Sequence, residues 1–233
     1  MLGTLGVAAS NYLYYLAIQR TNVATAITLQ YTAPAWVLLY SIARRLQKAT
    51  VQRVAAVALA IFGIALVIGI FSHGGFRLNG IGVMAGIGAA FSFAFYNVGG
   101  HSVLARLDRW IVLLYAILSA SLLWLFINPP WKVWAAGYSG SQWGFMFLFS
   151  LISVLLPFAF YFAGLQHLEP TRAIVVSCLE PVFSIVIAAI TLGEIVRPIQ
   201  AVGIVLVLVA IVIVQLPDPH LQEEDIAIVE PIE

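Results

Sequence analysis

One residue in this sequence is both ionisable and far from either end of an apolar stretch: Glu180, in the run Leu179-Glu180-Pro181-Val182. Such a group is a functional-site hypothesis by default, because ionising it in nonpolar surroundings is costly. The segment can still enter a bilayer. A mid-helix acid costs about 3 kcal/mol, against roughly −0.3 to −0.6 kcal/mol for each Leu, Ile, Val or Phe, and eleven such residues lie between Ile174 and Leu192. Ala173, Ser177, Glu180, Ser184 and Ala188 share one face at helical spacing, which makes a small, polar stripe. The carboxyl could bind a substrate cation or take up and release a proton. The competing reading is a protonated carboxyl bonded to a neighbouring hydroxyl for packing. Pro181 removes a backbone donor and clashes with the preceding turn, so a kink is expected beside Glu180. Pro34 should do the same among Thr25, Thr28, Gln30, Tyr31 and Thr32.

Ser177 joins Glu180 as a candidate for substrate or proton binding. So do Tyr14, Gln30, Tyr96 and Tyr161, bulky polar groups able to shape and gate a cavity. Ser150, Ser153, Pro157 and Tyr161 share a face, as do Asn11 with Tyr14 and Ser92 with Tyr96. Each of these also fits a helix-to-helix hydrogen bond, worth about 0.6 kcal/mol on average inside a membrane. Catalysis has less to stand on. His73, His101, His167 and His220 lie at span edges or in the tail, and none has the His-Glu-x-x-His spacing of a zinc site. Ser139 and Ser141 have no buried base in view, and a single cysteine, Cys178, makes neither an internal disulfide nor a Cys-rich metal site. Gly82 and Gly86 form a small-xxx-small packing surface without a phosphate-loop Lys-Ser/Thr after them. The expectation is no enzyme, no cofactor and no metal.

The elements that must hold these residues follow from composition. Of 233 residues, 62% are hydrophobic and 9% charged, whereas soluble domains are about 25% charged. Eight apolar segments cover about 1–19, 22–43, 51–72, 80–100, 108–128, 143–165, 171–192 and 198–216. They are apolar on all sides for about twenty residues, unlike the alternating ten-residue strands of membrane barrels. The predicted fold is therefore all-α, a polytopic bundle of eight transmembrane helices. The loop at 128–142 carries Trp131, Trp134 and Tyr138, which fits an interfacial belt. Residues 217–233 form an acidic tail with six Asp or Glu and no Lys or Arg, expected to be disordered. With Met1 inside, the cytoplasmic loops hold Arg44, Arg45, Lys48, Arg53, Arg106, Arg109 and Arg172, and the outer loops hold Arg20, Arg77, Lys132 and Arg197. Seven against four places both termini in the cytoplasm. Net charge of +1 and no long basic run exclude nucleic acid as a partner.

Residues 14–67 align without gaps on 161–214, an offset of 147, with Tyr14 on Tyr161, Gln19 on Gln166, Ala26 on Ala173, Ile27 on Ile174 and Pro34 on Pro181. The offset maps the first span onto the sixth and the second onto the seventh, so paired helices cross the membrane in opposite directions. Inverted repeats typify secondary transporters with a substrate site near the midplane. The halves are expected at 1–72, a truncated first repeat, and 79–216, with about two helices missing before Met1. No cleavable leader is expected, since the first cation is Arg20.

Tyr14 to Ile18 followed by Pro34, Tyr96-Asn97 after a Gly/Ala-rich helix, Tyr161 to Leu165, Leu179-Glu180-Pro181-Val182, Leu192-Gly193-Glu194, and Gln200 with Gly203 together resemble the EamA family of the drug/metabolite transporter superfamily. The resemblance covers 1 to about 215. It implies two inverted five-helix halves, cytoplasmic termini in the cell membrane, and export of small metabolites or drugs. The chain departs from the pattern by lacking the first two helices, and by having Gln47 and Ala56 where the second half has Glu194 and Gly203. The expected function is a secondary transporter working by alternating access; the alternative is a non-transporting membrane scaffold or an inactive fragment. Expected partners are a small-molecule substrate and the lipid bilayer, with a homo-oligomer left open.

Overall fold

Each of the eight apolar segments folds as a helix, and most helices start where a polar side chain takes over from hydrophobic ones. The computed structural model describes residues 1–69, 79–193 and 195–217. Helix α1 opens with wide π turns over Leu2–Ala8 and continues as Ala9–Arg20. Helix α2 is interrupted, Val23–Gln30 then Ala33–Ala43. Next come α3 (Val51–Val67), α4 (Gly80–Leu104) and α5 (Arg109–Ile127). Helix α6 (Gly140–Leu165) contains a second π stretch at Leu151–Leu155. Helix α7 (Pro170–Leu192) is interrupted at Cys178, and α8 is Pro198–Gln215. Asn22, Thr50, Asn79, Asp108 and Ser139 cap α2, α3, α4, α5 and α6, each accepting a hydrogen bond from a backbone N–H of the first turn, where such donors lack intrahelical partners. Gly193, at φ 68°, ends α7 in the left-handed region, where a Cβ is unfavourable.

By length and composition, α4 to α8 are five helices able to cross a membrane. The other three depart from an uninterrupted apolar rod for separate reasons. Helix α1 carries Thr4, Ser10, Asn11 and Gln19, α2 is broken, and α3 has 17 residues. Three expected boundaries are corrected. The 128–142 loop contains a short helix, Pro130–Ala135, begun by a proline suited to that position. Helix α6 starts at Gly140 rather than 143, because Ser139 and Gln142 form a reciprocal capping box. Helix α4 runs on to Leu104 rather than ending near 100. Trp131 and Trp134 are exposed on the short helix. The acidic residues of the tail, Glu194, His73 and Arg77 lie outside the described residues.

The halves interlock. One core joins α2 and α3 to α7 and α8 through Tyr31, Val57, Ile64, Val175, Cys178 and Val207. A second joins α4, α5 and α6 through Tyr96, Leu113, Phe162 and Leu165, and α1 packs along α4. Glycines allow the closest approaches. A Cβ on Gly203 of α8 would lie 2.6 Å from the Gly63 carbonyl oxygen of α3, and one on Gly86 of α4 would lie 2.7 Å from Leu29. Gly82 thus packs α4 against Arg20 and Thr21 at the end of α1, and Gly86 packs it against Leu29 of α2, the close helix packing that their spacing predicted.

Helix boundaries recur at the same offset of 147. Val23 and Pro170 begin α2 and α7; Val51 and Pro198 begin α3 and α8. Tyr31 and Cys178 mark the two interruptions, and the π turns at Leu2–Ala8 correspond in position to those at Leu151–Leu155. The wide turns lie outside the stretch where residues match, so backbone geometry extends the correspondence beyond sequence identity.

Candidate functional site

A proline ring collides with the carbonyl four residues earlier. For Pro34 that residue is Gln30 and for Pro181 it is Ser177, and these are the last residues of the first segments of α2 and α7. The helices therefore break one turn before each proline rather than beside it. The displaced turns are satisfied locally. Thr32 Oγ1 donates to the Leu29 carbonyl at 2.7 Å, and Ser177 Oγ to the Ala173 carbonyl at 3.0 Å.

The two breaks meet. The Tyr31 hydroxyl donates to Glu180 Oε2 at 2.8 Å, a bond from the first half of the chain to the second. Tyr31 is buried and Glu180 is exposed. An intramembrane carboxylate is tolerated when it faces water or protein and accepts hydrogen bonds, and here a phenol supplies the bond. Tyr14 approaches Glu180 closely enough for the two to interact electrostatically, and Tyr31 likewise lies near Tyr14 and Cys178. Of the expected stripe on α7, Ala173 is buried, Ser177 is half-buried, and Glu180 and Ser184 are open.

A second polar branch starts one turn before Glu180. Ser177 lies near Tyr161, whose hydroxyl accepts a hydrogen bond from Asn97 Nδ2 at 2.5 Å. Tyr161 stacks on Tyr96 at 5.5 Å between ring centres, with Phe158 and Phe162 closing around Tyr96. The Tyr96 hydroxyl and Asn97 Oδ1 are buried with no hydrogen-bond partner among the described residues, a costly arrangement unless something else satisfies them. Gln30 is placed differently: its Nε2 donates to Ser10 Oγ at 3.2 Å, and Ser10 in turn donates to the Ala89 carbonyl at 3.3 Å. It ties α1, α2 and α4 together. Contacts thus run as one seam from Tyr14 of α1 and Tyr31 of α2 to Glu180 and Ser177 of α7, and on to Tyr161 of α6 and Tyr96 of α4, whereas Gln30 is bonded to Ser10 instead of to Glu180. A groove between α1 and α5, lined by Tyr12, Tyr15, Leu16, Gln19, Trp124 and Ile127, adjoins the seam where Tyr15 meets Tyr14 at 5.8 Å between ring centres, but no carboxylate or cation lines it. The seam is the better candidate.

Sequence reasoning named Tyr31 only as part of the polar surroundings of Pro34. The signal that finds it is the repeat: Tyr31 occupies the position of Cys178, next to the break, so a donor in one copy faces an acceptor in the other. Asn97 drew attention only through the resemblance. Arg53 and Glu169, counted as loop charges at most, are joined at 3.1 Å.

The profile of the EamA-like transporter family matches residues 1–69 and 80–216. The chain is 23% identical over 220 residues to the uncharacterized inner membrane transporter YicL of Salmonella typhimurium, covering 93% of this chain and 72% of that one. It is 26% identical over 219 residues to an uncharacterized transporter of Archaeoglobus fulgidus, covering 90% and 74%. Against the threonine/homoserine exporter RhtA of Escherichia coli K12 it is 27% identical over 207 residues, covering 86% of this chain but 65% of RhtA, less than two thirds of its length. A protein of known crystal structure superposes with a TM-score of 0.76 at 19% identity, over 92% of this chain and 74% of the other. That superposition supports the polytopic helical fold.

Proposed function

This chain belongs to the EamA-like transporter family, and from that premise we propose that it is a secondary transporter exporting a small solute by alternating access, with Glu180 as its working carboxyl. The family is a transporter rather than a catalytic class, and the chain is a multi-pass membrane protein. The observation that carries the reading is the Tyr31–Glu180 hydrogen bond, which joins the two halves where both helices break. Broken helices related by an inverted repeat supply free backbone groups and a polar side chain at mid-depth, where a solute can be held while either half rocks. When the Tyr31 bond opens, Glu180 is free to accept an ammonium group or a proton.

The orientation consistent with this reading has both termini in the cytoplasm of a cell membrane. The connections α2–α3 and α6–α7 and the end of α8 cluster at one end of the bundle: Gln47 bonds Glu169, and Gln52 bonds the carbonyls of Ile213 and Leu216. Most loop cations are at that end. RhtA, by name, exports threonine and homoserine. Zwitterions with an ammonium group suit an exposed carboxylate beside phenols, so they are the first solutes to test. Purified protein in liposomes preloaded with unlabelled threonine or homoserine should accumulate the labelled amino acid by exchange well above empty liposomes. Absence of exchange for these and for a panel of cationic amines and amino acids would defeat the transporter reading.

A further inference from the structure

Beyond the seam, one polar cluster spans both halves at the end that holds most of the cations. Arg53, in the first turn of α3, has a side chain 9% exposed, and its NH2 group meets Glu169 Oε2 at 3.1 Å. Gln47 Nε2 donates to the same oxygen at 3.1 Å, and Thr171 Oγ1 donates back to Gln47 Oε1 at 2.7 Å. Arg53 NH1 also holds the Lys48 carbonyl at 3.1 Å, and Arg172 Nε lies 3.8 Å from Glu169. The first-half connection at 44–50 is thereby fastened to the start of α7.

We propose that Arg53, Gln47, Glu169 and Thr171 form a latch that closes this end of the seam and must open once in each transport cycle. The inference rests on the alternating-access reading. Three features support it. The cluster joins the elements that an inverted-repeat rocking motion separates. It is only partly buried, Glu169 being 44% exposed, so it is weaker than a sealed ion pair and can break repeatedly. Glu169 immediately precedes the segment Pro170–Ser177, whose far end adjoins Cys178 and Glu180; a single rigid turn pair connects latch to site.

The repeat supplies an internal comparison. Arg53, Glu169 and Thr171 correspond to Gln200, Asn22 and Ala24 at the opposite end. None of these is charged. Gln200 donates to the Val67 carbonyl at 3.1 Å, and Asn22 caps α2. Gln47 corresponds to Glu194, which lies outside the described residues.

Cys178 is the sole cysteine, is fully buried, and sits between the latch and Glu180, so it reports opening without any knowledge of the substrate. The experiment labels intact protein in sealed vesicles of both orientations with a membrane-impermeant maleimide. Glu169→Gln should speed labelling of Cys178 from the latch side at least about tenfold, the loss expected on removing one charged hydrogen-bond partner, and leave the opposite side unchanged. Exchanging the charges in Arg53→Glu with Glu169→Arg should return the rate to within about twofold of the original. The latch is overturned if Glu169→Gln labels no faster than the parent from that side, if labelling rises equally from both sides, or if the exchanged pair labels as fast as Glu169→Gln. A chain that exchanges amino acids yet fails this test loses the latch and keeps the transporter reading; a chain that passes it yet exchanges no solute does the reverse.

Discussion

Helices α2 and α7 are two solutions to the same local problem. Each is stopped one turn before a proline, each resumes at once, and the two are related by the internal repeat. At the break α2 presents Tyr31 and then Ala33, which is fully buried; α7 presents Cys178 and then Glu180, which is exposed. Position 33 shows that the break forms and packs perfectly well with a methyl group where α7 has a carboxyl. The break itself therefore does not require the Glu180 carboxyl, whose side chain is bonded to Tyr31 across the two halves, and an acid at this depth is a functional-site hypothesis by default.

The comparison can be broken by making the copies alike. Ala33→Glu puts a second carboxyl at the matching position, but into a closed core beside Val37, Ala90 and Ile174. A buried, unpaired acid of this kind should lower stability by about 3 kcal/mol, read as a drop in the detergent melting temperature. A variant as stable as the parent would mean that the two sites are equally open and that the contrast is false. A smaller change sharpens the contrast. Tyr31→Phe keeps the ring in its core and removes only the hydroxyl that donates to Glu180. A hydrogen bond to a charged partner is worth about 1.5–3 kcal/mol, so the melting temperature should fall, though by less than in Ala33→Glu, and exchange should rise severalfold because Glu180 no longer has to leave Tyr31 before it takes up solute. Unchanged exchange would make the hydroxyl incidental.

Most of the architecture was legible in the residues because hydropathy and prolines act locally. The apolar runs and the shared register of Pro34 and Pro181 announced the helices, the repeat and two interruptions, whereas the Ser139 cap that starts α6 at Gly140 and the placing of each break one turn before its proline came from the structure. The site was legible in part. Glu180 is conspicuous as a lone acid in an apolar run with Ser177 on its face, whereas the face expected to join Tyr161 to Ser150, Ser153 and Pro157 leaves those three exposed. What pattern alone did not supply was partnership: Tyr31 with Glu180 is separated by 149 positions and Arg53 with Glu169 by 116, contacts set by how helices stack rather than by spacing along any one of them. Gln30 illustrates the reverse. It is as polar as Tyr31 and adjacent to it, but the helix rotates it toward Ser10 on α1.

The central claim is that Glu180 works chemically while its structural counterpart does not. The most direct test is amino-acid exchange in liposomes by the parent protein and by Glu180→Gln, measured across a range of pH. Glutamine preserves size and can still accept the Tyr31 hydrogen bond, but carries no titratable charge. The account predicts that exchange by the variant falls to the level of empty liposomes or loses its dependence on pH, with the melting temperature retained. Exchange that keeps both its rate and its pH profile in Glu180→Gln would contradict it.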